Sequence, residues 1–351
     1  MNSVVLKYLL AAITCVLSIA SADTRTTAAS TFGKVDRVVV GGAGGWDLLA
    51  FHTARQHLFI SRGDRVQVFD ATTGKIIRDI HGTSGVHGIS LAEDLGLGFT
   101  SNGQTNSVTV FELESLNVVD EIKGTGENPD AILYDATSKR VFTFNARSQN
   151  VTVINAVNKS IVTSIALPGQ PELAVLDGKG HIFVNLEDKN AITRIDIASS
   201  TVSATWLLDH CESPTGLAID VKHTRLFSVC ENHKMVVTDA GSGKAIAEVD
   251  IGGGPDGVVF DAKRGLVISS NGEGSLSVIH EATPNQYVQV ATIPTQKGAR
   301  TITLDEVHHV AYLVSAEFGS SPPVTADKPQ PRPSQIPGTF SVLAVNVDQQ
   351  H

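Results

Sequence analysis

The feature that most constrains the fold of this chain is a short segment that recurs along it. Its clearest copy spans residues 254–261, where Gly-Pro-Asp-Gly is followed by Val-Val-Phe-Asp. The copies follow one another at intervals of 40 to 44 residues and end at His52, Ala92, Asp135, Asp177, Asp220, Asp261 and Asp305. A near-constant period in the low forties, built from short β-rich runs, is typical of a β-propeller.

Each period can be divided into four strands separated by turn residues. The sixth period predicts strands over 257–260, 266–270, 276–280 and 287–293, with Gly, Asn and Pro between them. Alternating β-branched residues suit strands that are packed between neighbouring blades. The sequence therefore predicts an all-β fold, a seven-bladed β-propeller with four-stranded blades.

The two ends of the repeat region predict how the ring closes. Residues 35–40 resemble a fourth strand, and residues 339–347 supply a third strand with no fourth strand after it. Pairing the amino-terminal strand with residues 341–346 would remove two open sheet edges at once. We therefore expect the last blade to be closed by the N-terminal strand.

The amino terminus predicts export. Residues 1–22 resemble a signal peptide, since Lys7 precedes an apolar run over 8–20 and small residues occupy 20–22. This run is shorter than the roughly 20 residues of a membrane span, so we expect no transmembrane span in the mature protein. A retained membrane anchor is the alternative. The expected location is periplasmic or secreted.

The remaining chain is divided by composition. Residues 23–34, rich in Thr, Ala and Ser, predict a disordered leader, and residues 35–349 form the propeller. Six prolines between Pro322 and Pro337 make 319–338 a proline-rich surface insertion between the second and third strands of the last blade. We expect the protein to be a monomer.

The charge balance excludes one class of partner. The formal net charge is −9, and no run of lysine or arginine occurs. Because affinity for duplex nucleic acid comes mainly from cationic neutralisation of phosphates, duplex nucleic acid is a poor candidate ligand.

The repeats resemble the YVTN-type repeats of secreted YncE-like propellers. The resemblance rests on turns such as Asn271-Gly272 before Leu276-Ser277-Val278-Ile279, and on the segment 337–343 after the proline-rich insertion. It covers residues 35–348 and implies a seven-bladed propeller. It implies no single reaction, because similar propellers include lactonase-like enzymes, dehydrogenase subunits and proteins without assigned activity.

One position of the repeat predicts a polar site. The residue just before each innermost strand should overlook the mouth of the central channel, and the seven copies place there Asp47, His87, Asp130, Glu172, Thr215, Asp256 and Arg300. Such a ring could bind a cation or a small polar ligand, and mutual repulsion would raise a carboxyl pKa for acid–base chemistry. Alternatively, aspartate serves there only as a turn former.

Two further features are candidates for function. Trp46 occupies the position that proline takes in other copies, and it is either a stacking platform at the mouth or a cover for the first strand. Cys211 and Cys230 are the cysteines beyond the predicted signal, and we expect them to form a disulfide. The alternative is a metal or haem-partner site that adds His210 and His233.

The function expected from these patterns is recognition of a ligand or protein partner at the channel mouth. A lactonase-like hydrolase that uses the same ring is the alternative, and a docking subunit or sensor for a redox partner is a third. No Gly-x-Ser-x-Gly motif occurs, so the sequence indicates no serine nucleophile, and it indicates no cofactor.

Overall fold

The structure is a computed structural model that describes residues 32–321 and 333–348. Its regular structure is almost entirely β-strand, and short 3₁₀ helices follow three of the strands at Thr53–Arg55, Glu93–Leu95 and Glu187–Lys189. In chain order the strands are β1 (Val35–Val39), β2 (Leu49–His52), β3 (His57–Ser61), β4 (Gly63–Asp70), β5 (Lys75–Ala92), β6 (Leu97–Asn102), β7 (Ser107–Glu112), β8 (Val118–Lys123), β9 (Pro129–Asp135), β10 (Arg140–Asn145), β11 (Asn150–Asn155), β12 (Ile161–Ala166), β13 (Pro171–Leu176), β14 (His181–Leu186), β15 (Ala191–Asp196), β16 (Thr201–Leu207), β17 (Pro214–Asp220), β18 (Arg225–Cys230), β19 (Lys234–Asp239), β20 (Ala245–Asp250), β21 (Pro255–Asp261), β22 (Leu266–Asn271), β23 (Ser275–Thr283), β24 (Gln286–Pro294), β25 (Ile302–Asp305), β26 (Val310–Ser315) and β27 (Ser341–Asn346).

These strands form an all-β propeller. Four sheets each contain four consecutive strands, from β9–β12 to β21–β24, and a fifth joins β25, β26 and β27 to β1. The sheets contact one another through their inner strands in the cyclic order β2, β5, β9, β13, β17, β21, β25, and β25 contacts β2. The described strands therefore surround one axis.

The expectation of seven separate four-stranded blades is not met as stated. Five sheets have four strands, whereas β2 to β8 form one continuous sheet of seven. The reason is β5, whose first part pairs with β4 as far as His81 and again at Val86, and whose second part pairs with β6 from Val86 onward. Gly82 and Gly85, with φ of 82° and 69°, let the strand turn between the two ladders without a break.

The amino-terminal strand closes the ring as expected. β1 pairs antiparallel with β27, from Val35 opposite Val345 to Val39 opposite Ser341. Hydrogen bonds continue before β1, where the Gly33 N–H donates to the Asn346 carbonyl. The expected disordered leader therefore extends too far at its carboxyl end, because residues 32–34 lie against the last sheet. The rest of that leader and the expected signal peptide lie outside the described residues.

The apolar core lies between adjacent sheets. The second and third strands of a sheet are buried on both faces, as in β10, where Val141, Phe142 and Phe144 are all inaccessible to solvent. The outermost strands alternate instead, and in β16 every second residue is exposed. Burial on both faces explains why the middle strands are almost uniformly apolar or small.

We predict that the β1–β27 ladder contributes to the stability of the whole propeller. A chain beginning at Val40 should unfold at a temperature several degrees lower than a chain beginning at Phe32, because it leaves the β27 edge unpaired. Calorimetry of the two chains measures the difference. Equal melting temperatures would contradict the role assigned to β1.

Candidate functional site

The inner strands all begin at the same end of the ring, and this end is called the mouth. Asp130, Glu172, Thr215 and Asp256 are each the second residue of an inner strand, and His87 holds the same position within β5. Asp47 and Arg300 stand two residues before β2 and β25. The positions predicted from the repeat therefore come together, and we call these seven residues the mouth ring.

A β-bulge lies at the mouth-ring residue in five inner strands. In β9, Pro129 pairs with Asn145 and Ile132 with Thr143, so two residues, Asp130 among them, stand opposite one. Similar shifts interrupt the ladders beside His87, Glu172, Thr215 and Asp256. A bulge bends its strand and redirects the side chain, and bulges are common next to active sites. The repeat pattern does not reveal these bulges.

The backbone of the mouth ring is held by side chains of neighbouring strands. The carbonyl groups of His87, Asp130, Thr215, Arg300 and Asp47 accept hydrogen bonds, in that order, from Ser61, Ser101, Asn185, Ser270 and Thr301. Thr215 itself donates to the Pro255 carbonyl at 2.9 Å, so it serves the framework and not the ligand surface. Small polar residues on the buried strands thus fix the positions from which the charged side chains project.

The loop that carries Asp47 depends on a buried cation. Arg62 is inaccessible to solvent, and its guanidinium donates hydrogen bonds to the carbonyls of Ala43, Gly44 and Gly45. Its planar group lies 3.5 Å from the ring centre of Phe340. Burial lowers the pKa of Arg62 to about 10, so it remains charged at neutral pH. Arg62 therefore joins this loop to the start of β27.

Asp47, His87 and Asp130 form the tightest polar group of the mouth. His87 Nδ1 lies 2.6 Å from Asp47 Oδ2 and 3.9 Å from Asp130 Oδ1. One ligand atom from each residue lies within 4.8 Å of the others, a spacing that a metal ion can bridge. The hydrogen bond to Asp47 and the charge of Asp130 raise the pKa of His87, against the opposing effect of burial.

The other carboxyl groups are held in unusual protonation states. The pKa values of Asp130 and Asp256 are each raised to about 6. Burial is the main cause, and repulsion from neighbouring carboxylates, Asp47 among them, adds to it. Burial, and then Asp130 and the adjacent Glu187, raise the pKa of Glu172 far above its usual range. Repulsion, which the sequence suggests as the cause, is thus secondary to burial.

Arg300 and Lys297 add positive charge to the mouth. Arg300 Nε lies 3.3 Å from Asp256 Oδ2, and Lys297 lines the same cavity of about 490 Å³. A second cavity of about 480 Å³ lies beside Asp47 and His87. Each cavity therefore combines carboxyl and cationic groups, with Arg147 and Asp47 in one and Arg300 and Asp256 in the other.

Trp46 lies between the two cavities and lines both of them. Its ring contacts Phe340 with centroids 5.4 Å apart and Phe318 with centroids 6.1 Å apart. It thus packs against the last sheet and also faces the mouth, which combines the two roles considered for it.

Several residues at the mouth are missed by the repeat argument. Glu187 and Glu231 follow β14 and β18, and both contribute to the raised pKa of Asp256. Phe318 and Gln335 belong to, or adjoin, the proline-rich insertion and line the cavity beside Arg300. These two residues form a β-bridge, so the base of the insertion reaches the mouth. Residues 322–332 of the insertion lie outside the described residues.

Cys211 and Cys230 are joined by a disulfide bond. The bond links the loop before β17 to the end of β18, and both cysteines are buried. Since both sulfur atoms are used, neither is available as a thiolate ligand for the metal or haem-partner alternative. His210, which precedes Cys211, and His233, three residues after Cys230, have left-handed backbone conformations with φ of 62° and 63°.

Comparison with known proteins supports the family resemblance over part of the chain. The uncharacterized YncE proteins of Salmonella typhi and Escherichia coli O157:H7 are each 26% identical over 107 residues. The resemblance to YncE-like propellers is confirmed. The matched stretch is 30% of this chain and spans only 28% of the length of these relatives. No family model matches.

Solved structures support the fold. A chain of Kuenenia stuttgartiensis hydrazine synthase aligns with a TM-score of 0.69 at 18% identity, covering 78% of this chain and 94% of that one. U3-55K aligns with a TM-score of 0.74 at 10% identity, covering 89% of this chain and 98% of that one. At these identities the likeness concerns the β-propeller fold alone. Within residues 32–321 and 333–348, no helix has the length and apolar character of a membrane span.

We predict that Asp130 and Asp256 make stability depend on pH. Their raised pKa values mean that the folded state holds protons that the unfolded state has released. Proton binding by the folded state adds to the free energy of unfolding. This contribution is fully present below the unfolded pKa of about 4 and is lost as pH rises through about 6. Asp130→Asn/Asp256→Asn should therefore reduce the fall in unfolding free energy between pH 5 and pH 8 by about 3 kcal/mol, or about 1.4 kcal/mol for each group.

Chemical denaturation at several pH values measures this slope. The matched control is Glu121→Gln/Asp250→Asn, which removes two charges from the outer strands β8 and β20 and should leave the slope unchanged. Identical slopes for both double variants would show that the mouth carboxyl groups titrate normally.

Proposed function

We propose that this protein binds a small ligand carrying positive charge at the mouth of its propeller. The observation that carries the proposal is the set of partly buried carboxyl groups, Asp130, Glu172 and Asp256, whose pKa values are raised mainly by burial. A bound cation would favour the ionised form of these groups, because its attraction to the carboxylates would offset their desolvation. Bulges and hydrogen bonds between sheets hold the groups in place beforehand.

The arrangement also suggests how such a ligand would be oriented. Its positive group would lie among Asp47, Asp130, Glu172 and Asp256, and a polar or anionic group would reach Arg300 and Lys297. Trp46 offers an apolar surface between the two cavities. A divalent metal ion held by Asp47, His87 and Asp130 would satisfy the same charge requirement without the second contact.

We propose further that the ring contains seven blades. The support is β5, which serves as the outer strand of one ladder and the inner strand of the next. Dividing the seven-stranded sheet within β5 gives two four-stranded units, and each then contributes one inner strand to the cycle. The seven mouth-ring positions, one for each repeat, agree with this division.

Secretion to an oxidising compartment is part of the same proposal. It is supported by the signal-like pattern of residues 1–22 and by the Cys211–Cys230 disulfide, since disulfides persist mainly outside the reducing cytosol. The ligand would then be a molecule of the periplasm or the extracellular medium.

A hydrolase is the second candidate function, and one observation favours it. The short His87–Asp47 contact beside Asp130, whose pKa is near 6, places a proton donor and a proton acceptor at the edge of a cavity. Hydrolysis of lactones by the wild-type chain, lost in His87→Ala with the fold intact, would favour catalysis over binding alone.

The binding proposal is tested with two probes, Ca²⁺ and spermidine, by isothermal titration calorimetry at low ionic strength. We expect at least one of them to bind. Asp130→Asn/Asp256→Asn should weaken that binding at least tenfold, or by about 1.4 kcal/mol, because two of the charges facing the ligand are removed. The control Glu121→Gln/Asp250→Asn has the same net charge and should bind as the wild type does. Absence of binding by both probes, or equal loss in both double variants, would contradict the proposal.

A further inference from the structure

A second cluster of acidic and imidazole side chains lies at the other end of the ring from the mouth. Asp220 ends the inner strand β17, His223 lies in the turn that follows, and Glu281 lies near the end of β23. One ligand atom from each of the three lies within 4.8 Å of the others. The cluster therefore joins the sheet β17–β20 to the neighbouring sheet β21–β24.

Two atoms of this cluster are close together without a hydrogen bond. Asp220 Oδ2 lies 2.6 Å from His223 Nδ1, and the same nitrogen lies 3.4 Å from Glu281 Oε1. Asp220 Oδ2 and His223 Nδ1 are both buried, and neither has a hydrogen-bond partner among the described residues. The Asp220 and Glu281 side chains are each only 4% exposed. Buried polar atoms normally have partners, so this pair requires an explanation.

Another turn of the same protein provides an internal comparison. Asp305 and His308 have the same spacing as Asp220 and His223, and their Oδ2 and Nδ1 atoms form an ordinary contact of 2.7 Å. There, Gln56 Nε2 also donates a hydrogen bond to Asp305 Oδ2 at 3.0 Å. Among the described residues, Asp220 has no such amide donor beside it. The neighbouring strand β23 instead brings the Glu281 carboxyl group close to Asp220 and His223. Two buried carboxyl groups thus face each other where one acid and one donor would be expected.

The nearby charged and titratable groups do not neutralise this pair. Arg225 directs its guanidinium to Asp239 at 2.7 Å and to the Pro284 carbonyl at 2.8 Å. The Tyr287 hydroxyl donates to Glu281 Oε1 at 3.1 Å, and the backbone N–H of Lys222 donates to Asp220 Oδ1. These contacts place no lysine or arginine side chain on Asp220 or Glu281.

We propose that Asp220, His223 and Glu281 bind a divalent transition-metal ion, with Zn²⁺ as the best fit. Imidazole nitrogen and carboxylate oxygen are ligands that Zn²⁺ accepts at about 2.0–2.2 Å, which places tetrahedral ligand atoms about 3.3 Å apart. The observed separations of 2.6 Å and 3.4 Å from His223 Nδ1 are on either side of this value. Tyr287, which donates to Glu281, would orient that ligand from the second coordination shell. The ion would connect the two sheets, and a water molecule would complete its four-coordinate shell.

The test uses the full chain without an affinity tag, freed of metal by a chelator and titrated with Zn²⁺ against a chromophoric chelator. Binding is measured together with metal content by mass spectrometry. We expect one tightly bound Zn²⁺ for this cluster and a rise in melting temperature on its addition. Glu281→Gln should weaken this binding at least a hundredfold while the protein stays folded, because glutamine reproduces the donor that Gln56 supplies to Asp305.

Two control variants make the result specific. His308→Gln alters the comparable turn, and Asp130→Asn/Asp256→Asn alters the mouth; both should keep the Zn²⁺ affinity of this cluster within about threefold. Failure of the wild type to bind Zn²⁺ with a dissociation constant below about 10 µM would overturn the proposal and leave a shared proton as the explanation. Unchanged binding in Glu281→Gln would overturn it as well, as would loss of all tight binding in the mouth variant alone.

Discussion

The mouth of this propeller depends on hydrogen bonds that cross from one sheet to the next. Ser101, Asn185 and Ser270 lie on buried strands, and each donates to a backbone carbonyl at or just before the inner strand of the next sheet. Ser61 makes the same kind of bond to the His87 carbonyl within the seven-stranded sheet. Thr301 completes the connection between the last inner strand and the first by donating to the Asp47 carbonyl. These bonds hold strand segments that bulges have released from their own ladders. The direction in which the charged side chains point is therefore fixed by the neighbouring sheet, and the ring must be closed for the site to exist.

This rigid arrangement determines the electrostatics of the mouth. Carboxyl groups that were free to turn toward water would keep ordinary pKa values, but those of Asp130 and Asp256 are held where burial raises them to about 6. Arg300 offsets part of the charge on one side only. This arrangement is the basis for the proposal that the mouth binds a positively charged group, and the same features are found in acid–base pairs of enzymes. At the opposite end of the ring, Asp220 and Glu281 lie on two different sheets and share the imidazole of His223.

The sequence predicts much of this structure because the repeat carries the relevant information. The period predicts the inner strands and hence which residues reach the mouth, and the unmatched terminal strands predict the pairing of β1 with β27. Other features could not be predicted, because they arise from contacts between repeats. Glu187 and Glu231 each directly follow the second strand of a repeat, but other repeats have glycine, alanine or arginine there, so no acidic pattern marks this position in the sequence. The continuity of β5 depends on Gly82 and Gly85, which look like ordinary turn residues in the sequence. The Asp220–Glu281 contact joins residues from different repeats.

The central claim is that burial raises the pKa values of the carboxyl groups at the mouth. Nuclear magnetic resonance tests this claim most directly. Carboxyl-carbon chemical shifts of Asp130 and Asp256, assigned with the single asparagine variants, give their individual titration curves. The account predicts that both groups titrate near pH 6, well above the ordinary aspartate pKa of about 4. It also predicts that saturation with a bound cation moves the mouth titrations downward by at least one pH unit. Titration of Asp130 and Asp256 near pH 4, unaffected by either Ca²⁺ or spermidine, would contradict it.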